Sequence, residues 1–184
     1  MTNTIASAVG PYLLEDSLGI YLKILYPTAN WMHDVRFKHY RFRPDYQSST
    51  INMAVEFDEP RHYKDPTAII KDREKRQIVI DQQYRHVVVP YWLQLYPLVI
   101  ETLFGLSNAV DCSNDFPNGF ISKTCPLPSC FCGGGLERFV QQMKTLPTSI
   151  KEQVIASLVN KVNVLGDWQR VVPSQDYLSL NLYV

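Results

Sequence analysis

The chain lacks any apolar stretch that approaches the roughly 20 residues needed to cross a bilayer. Its first residues, MTNTIASAVGPYLLED, carry no basic segment ahead of an apolar run, so no secretory signal peptide is indicated. It also has no excess charge, because 18 Lys and Arg balance 18 Asp and Glu. This balance argues against a strongly basic nucleic-acid binder of the histone type. We therefore expect a cytoplasmic protein that does not enter a membrane.

Cysteines are few, and all of them lie between positions 112 and 132. In a cytoplasmic protein we expect reduced thiols or a metal site rather than disulfides. Cys125, Cys130 and Cys132, with Cys112 further upstream, lack the paired C-x2-C spacing of common zinc modules. Small buried residues in a tight loop are the preferred interpretation. A zinc-stabilised interaction module remains an alternative.

What the chain does have is enough apolar sequence, 46% of 184 residues, to fill one core. The periodicity changes along the chain between about 3.6 and 2, which favours an α/β fold. The antiparallel pairing expected of a hairpin and the parallel pairing expected of a strand–helix–strand unit together predict a mixed β-sheet flanked by helices. The predicted elements are helices at 11–26, 66–83, 98–106, 136–146 and 149–165, and strands at 31–46, 51–58 and 86–92.

Two units are predicted: an α/β core over residues 1–106, and a Cys-containing loop with a helical extension over 107–184. The boundary is placed where a long segment rich in Pro, Gly, Ser and Cys begins. Loops of that length are usually functional, ordered by a ligand, or disordered. Asp65 before Pro66 is predicted to cap the second helix, and Ser149 with Glu152 to form a capping box.

The predicted strand pair carries three carboxylates that are candidates for a functional role. Asp45 follows Pro44 at the end of the first predicted strand, and Glu56 and Asp58 share one face of the second. Like charges side by side repel, unless a cation lies between them or one is protonated. A divalent-metal site at these three residues is therefore predicted. Simpler roles are a turn for Asp45 and ion pairs with Arg61 or Lys64 for the others.

The motifs RPDY at 43–46, VEFDEPRHY at 55–63 and HVVVPYW at 86–92 follow one another in an informative order, with Asp72-x-x-x-Arg76 on the intervening helix. Together they resemble the PD-(D/E)XK nuclease superfamily, and most of all its branch related to very-short-patch repair endonucleases and RAP domains. The resemblance covers roughly residues 11–96. It implies a restriction-endonuclease-like fold with a helical C-terminal extension.

The resemblance also implies roles for individual residues. Asp45, Glu56 and Asp58 would hold Mg²⁺ or Mn²⁺, with Asp58 standing where the usual motif has Lys. His62 matches the His of E-x-D-G-x-x-H, and Glu15 the helical Glu often found near such sites, which makes both catalytic candidates. The basic residues expected to contact the nucleic-acid backbone are Arg41, Arg43, Arg61, Lys64, Lys71, Lys75 and Arg76; among them, Lys64 or Lys71 could replace the missing Lys.

The expected function is therefore a magnesium-dependent endonuclease that hydrolyses phosphodiester bonds, with DNA as the preferred substrate. Homodimerisation or membership of a larger assembly is compatible with the sequence. The main alternative is a catalytically inactive protein of the same fold that binds nucleic acid or a protein partner. Glu59, where the pattern prefers Gly, and the missing Lys motivate that alternative.

Overall fold

The computed structural model describes residues 15–37, 40–106, 120 and 125–172. They form a mixed α/β arrangement in which helices flank a four-stranded sheet. The elements are α1 Glu15–Leu25, β1 Met32–His33, β2 Tyr46–Ser48, β3 Met53–Asp58, α2 Arg61–Lys64, α3 Pro66–Asp81, β4 Arg85–Pro90, α4 Pro97–Phe104, α5 Gly133–Thr145 and α6 Thr148–Leu165. None of the described helices is long and apolar enough to span a membrane.

The sheet has the order β1-β2-β3-β4, which leaves β4 at one edge. Strands β1, β2 and β3 pair in antiparallel fashion, and β4 lies parallel to β3 with Glu56 opposite Val88. The hairpin and the strand–helix–strand unit predicted from periodicity are therefore confirmed. All six residues of β3 are buried, so this central strand is covered on both faces.

The long first strand predicted over 31–46 is wrong. Strand β1 ends after two residues, because Asp34 has a positive φ of 50° that takes the chain out of the extended conformation. The amide of Phe37 then donates to the carbonyl of Phe42 at 3.2 Å, which closes a loop. Phe37 and Phe42 are buried there beside Tyr84, so the alternating apolar residues serve a small satellite cluster rather than a strand face. The bulge predicted near His39 lies outside the described residues.

Helix boundaries follow the local signals with one exception. The Asp65 side chain accepts a hydrogen bond from the amide of Thr67 at 2.9 Å and caps α3, as predicted. The capping box at Ser149 is wrong, because α6 begins one residue earlier and Pro147 precedes it without a side-chain cap. The carbonyl of Pro147 already accepts from Ile150, which puts Ser149 inside the first turn. The beginning of the first predicted helix and the tail after 172 lie outside the described residues.

One hydrophobic cluster joins the α/β part to the C-terminal helices. It contains Leu18 of α1, Val55 of β3, Trp92 after β4, and Phe139 of α5, each fully or almost fully buried. The rings of Trp92 and Phe139 meet edge to face at 4.8 Å. Residues after 106 therefore contribute to the same core that supports the sheet.

Helix α5 lies unusually close to α2. A Cβ atom at Gly135 would overlap the backbone carbonyl of Tyr63, so a glycine is required at this crossing. The amide of Cys132 donates to that same carbonyl at 3.0 Å. The Tyr63 hydroxyl donates to Gln142 at 2.7 Å, which adds a second attachment along α5. These contacts set the position of every side chain that α5 presents to the sheet.

Candidate active site

A cleft of about 730 Å³ opens on the face of the sheet that carries Glu56 and Asp58. Helices α3 and α5 contribute Asp72 and Arg138 to its wall, and β4 contributes His86. Alternation in parallel neighbouring strands places Glu56, Asp58 and His86 on one face. The cleft therefore collects ionisable groups from four elements.

Asp58 lies at the centre of a buried ion-pair network and is only 1% exposed. One Arg138 nitrogen donates to Asp58 Oδ2, and the other donates to Asp72 Oδ2 at 2.6 Å. His62 Nδ1 is 2.7 Å from Asp72 Oδ2 and 3.6 Å from Asp58 Oδ1. One potential ligand atom from each of Asp58, His62 and Asp72 lies within 4.8 Å of the others. An arginine thus bridges the two carboxylates of this group.

The charges of the network follow from its burial and pairing. Burial raises the pKa of Asp58 despite the opposing effect of Arg138. Burial would also raise the pKa of Asp72, but hydrogen bonds from His62 and Arg138 outweigh it and leave that pKa below its ordinary value. For His62, burial acts to lower the pKa, yet the bond to Asp72 and the nearby carboxylates raise it overall. The network therefore favours an ionised Asp72 facing a cationic His62.

Glu56 lies two residues before Asp58 on the same strand face, but its carboxylate has fewer partners. Its Oε2 atom lies 3.5 Å from Lys75 Nζ, whereas Oε1 is buried without a hydrogen-bond partner. His86 Nε2 is 3.9 Å from that Oε1 and is likewise unpartnered. Burial raises the pKa of Glu56 to about 7. Burial and the Arg76 charge lower the pKa of His86 to about 4, so this imidazole is neutral at neutral pH.

Asp45 reaches the same neighbourhood from the loop before β2. Its Oδ2 accepts a hydrogen bond from the amide of Phe57 at 2.7 Å, which fixes the carboxylate beside β3. Burial raises its pKa to about 6, although the Phe57 bond opposes this effect, and repulsion from Glu15 adds to it. Glu15 itself pairs with His33 at 3.1 Å on the outer side. The predicted acidic residues are thus neighbours, but Asp45 and Glu56 lie outside the three-residue group that contains Asp58.

The predicted basic residues divide into four kinds. Lys75 enters the site, with its ammonium near Glu56, 3.9 Å from Asp72 and 5.1 Å from the centre of the Phe42 ring. Arg76 lines the cleft and is exposed. Arg43 is engaged by Asp34 at 2.9 Å, away from the cleft. The other predicted contacts are exposed and do not line the cleft: Arg41, Arg61, Lys64 and Lys71.

Sequence reasoning missed the roles of three members of the site. The motif on α3 groups Asp72 with Arg76, but the Asp72 side chain binds His62 and Arg138 instead. No sequence motif indicated Arg138, because it lies 80 residues from Asp58 in the part of the chain that the motifs do not cover. The third, His86, was assigned only to a buried strand. Its position on the same face as Glu56 follows from strand alternation once the register is known.

The cysteine interpretation also changes. Cys130 is exposed and Cys125 and Cys132 are half-buried, so the expectation of small buried residues is wrong for Cys130. None of these three described cysteines forms a disulfide. Cys112 lies outside the described residues. Within the described part of the chain, the group with metal-ligand spacing contains Asp58, His62 and Asp72 and no cysteine.

No protein-family model, curated protein or solved structure matches this chain.

Proposed function

We propose that the protein is a divalent-metal-dependent nuclease of restriction-endonuclease-like fold, with DNA as its preferred substrate. The observation that carries the proposal is the state of Glu56. This carboxylate is 5% exposed, has an oxygen without a partner, and lines a cleft of about 730 Å³. A buried carboxylate costs free energy unless a positive charge or hydrogen bonds compensate for it. Lys75 compensates only one of its oxygens.

The donor set fits a hard divalent ion. Asp45 and Glu56 both have raised pKa values, about 6 and about 7, because the cations around them do not offset their desolvation. Mg²⁺ and Mn²⁺ are bound through one or two carboxylates and retain several waters. When bound, such an ion neutralises phosphate charge and lowers the pKa of a water. Asp58 differs from Asp45 and Glu56, because the guanidinium of Arg138 already pairs with it.

The remaining tasks belong to the side chains of the protein. Lys75, beside Glu56 and Asp72, supplies the positive charge that the usual motif takes from a Lys at the position of Asp58. Arg73 and Arg76 are exposed on the wall of the cleft and favour a phosphate backbone there, without reading base sequence. Hydrolysis requires a water to attack phosphorus while the bond to the leaving oxygen breaks. The proton of that water passes to solvent, because an ion bound by Glu56 would lower the pKa of this carboxyl and remove it as a base.

The experiment is cleavage of single- and double-stranded DNA and RNA by the full chain, with Mg²⁺ or Mn²⁺ supplied. We expect metal-dependent cleavage that falls by at least about a hundredfold in Glu56→Gln and in Asp45→Asn, in line with the loss of groups that hold the ion and stabilise charge in the transition state. The matched control is Glu59→Gln, because Glu59 is a neighbouring but exposed carboxylate that does not line the cleft. Absence of cleavage of every substrate with either metal would refute the proposal.

A second candidate is a binding protein that has the same fold but no hydrolytic activity. The bridge from Arg138 to Asp58 and Asp72 favours it, since an internal cation neutralises carboxylates that an active site would leave free. In that case we expect salt-sensitive binding of nucleic acid that weakens in Arg76→Gln, without any metal requirement. Calorimetry with Mg²⁺ and Mn²⁺ separates the two candidates, because only the nuclease requires an ion.

A further inference from the structure

Two unpartnered polar atoms face each other at the base of the cleft. Glu56 Oε1 and His86 Nε2 are 3.9 Å apart, and neither has a hydrogen-bond partner. Their side chains are 6% and 10% exposed, so bulk water does not replace the missing partners. Buried polar groups are nearly always satisfied, so two unsatisfied atoms that face each other suit a ligand that contacts both.

We propose that His86 is a metal ligand that binds the same ion as Glu56. The inference rests on the proposed function for the presence of an ion, and it adds a nitrogen to an otherwise oxygen-only donor set. A direct hydrogen bond does not explain the pair, because 3.9 Å exceeds the length of any hydrogen bond. Two metal–ligand bonds of about 2.0–2.2 Å each add up to slightly more than that distance, so one ion can contact both atoms.

The surroundings of Glu56 Oε1 and His86 Nε2 favour a metal cation over a hydrogen-bond donor as their ligand. Lys75 lies near the other oxygen of Glu56, so Oε1 remains free to coordinate. Imidazole can bind a metal through Nε2, which is the ring atom that faces Glu56 Oε1. Its position is also rigid, since β4 is held to β3 through the whole register from Arg85 to Pro90. The remaining coordination positions would face the cleft.

A nitrogen ligand changes which ions the site prefers. Imidazole suits Zn²⁺ best, and Mn²⁺, although it favours oxygen ligands, accepts a nitrogen ligand more readily than Mg²⁺, which demands near-ideal octahedral geometry. The protein should therefore bind Mn²⁺ more tightly than Mg²⁺. His86→Gln should weaken Mn²⁺ binding by at least about tenfold, the lower end of the cost of losing an outer-shell partner. The same variant should affect Mg²⁺ less.

The test is pulsed electron paramagnetic resonance of the full chain loaded with Mn²⁺ alone. We expect a nitrogen coupling on the bound ion that disappears in His86→Gln and persists in His62→Gln. The His62 variant is the matched control, because His62 belongs to the separate group with Asp58 and Asp72. Circular dichroism of each metal-free variant verifies the fold.

Three results would overturn the inference: no nitrogen coupling in the unsubstituted protein, no Mn²⁺ binding, or a coupling that disappears with His62 instead of His86. The first two need no variant, so a folding defect cannot hide them. The nuclease proposal fails separately, if Mn²⁺ binds with the His86 coupling but no substrate is cleaved. Cleavage that requires Glu56 without a nitrogen coupling would overturn only the role of His86.

Discussion

Glu56 and Asp58 are two residues apart on one face of β3, yet their surroundings differ. Asp58 receives a guanidinium from Arg138, an amide of Gln142 at 3.5 Å and the nearby His62 ring. Glu56 receives only Lys75, on one of its two oxygens. Both pKa values are raised by burial, but of the two residues Glu56 is the one with a buried oxygen that has no hydrogen-bond partner. Two acidic residues that look equivalent in the sequence therefore differ in the structure. Asp58 is a structural carboxylate in the ion-pair network, and Glu56 is the candidate functional carboxylate.

Glu56 should lower the stability of the metal-free protein as the pH rises from about 4.5 to about 7. The native state retains the Glu56 proton up to about pH 7, whereas the unfolded chain loses it near 4.5. For this group the native state therefore binds more protons between these values, and its contribution to the free energy of unfolding falls as pH rises across that window. Asp45 acts in the same direction as Glu56, with a native pKa of about 6, whereas His86, with a native pKa of about 4, acts in the opposite direction.

Glu56→Gln should remove the Glu56 contribution to the pH dependence and stabilise the metal-free protein at pH 8 by on the order of 2–3 kcal/mol. Urea unfolding at pH 5, 6, 7 and 8, with EDTA present, measures both the pH dependence and the gain in stability. Glu59→Gln is the control and should leave the slope unchanged, because Glu59 is exposed. A variant at Glu56 with the same slope as the unsubstituted protein would show that this carboxyl is not the source.

At the level of the elements, the crossing of α5 over α2 decides the geometry of the site. Gly135 brings the two backbones together, and Arg138 follows three residues later on the same helix. Residues three apart on a helix share a face, so the close crossing also directs Arg138 toward Asp58 and Asp72. The ion-pair network is therefore a consequence of helix packing.

Gly135→Ala should destabilise the protein by about 1–3 kcal/mol, the usual cost of forcing extra volume into a packed contact. The added methyl group would overlap the backbone of Tyr63, which cannot move as a side chain can. Thermal and urea unfolding measure the loss.

Gly133→Ala is the matched control, because nothing lies within 4 Å of the Cβ position there. Alanine is the better helix former by roughly 1 kcal/mol in a helix interior, so this control should be neutral or mildly stabilising. Equal effects at the two glycines would contradict the close crossing of α5 and α2.

Across the whole molecule, one core serves both the sheet and the C-terminal helices. Phe139 of α5 is fully buried against Trp92, and Ile150 and Leu158 of α6 lie in the same cluster as Leu18 of α1. A core of this kind is expected to unfold as one unit. The helices after position 132 therefore stabilise the strands that carry Glu56 and His86.

Phe139→Ala should lower the free energy of unfolding by about 3–5 kcal/mol, the usual cost of truncating a buried aromatic residue. Tryptophan fluorescence and far-ultraviolet circular dichroism should shift together in urea, since both report the same transition. Ser149→Ala, at an exposed position on α6, is the control. Separate transitions for the two probes would indicate that the C-terminal helices form an independent unit.

Local rules predicted the central unit of the fold well. The period of two in β3, the Asp65 cap of α3 and the apolar run of β4 each depend on residues close together in sequence. The same rules failed between 31 and 46, where the positive φ of Asp34 and the packing of Phe37 on Tyr84 override an alternating pattern. Burial of an aromatic side chain at a distant contact outweighed local strand preference there.

Part of the candidate site follows from the sequence in the same way. The spacing of Glu56 and Asp58 places both on one strand face, and their mutual repulsion indicates a need for a cation. The groups that surround each carboxylate depend instead on the tertiary structure. Arg138, 80 residues away, pairs with Asp58, and His86 lies on the same face as Glu56 in the parallel register. Such pairings follow from how helices and strands pack, and sequence spacing carries no information about distances of that kind.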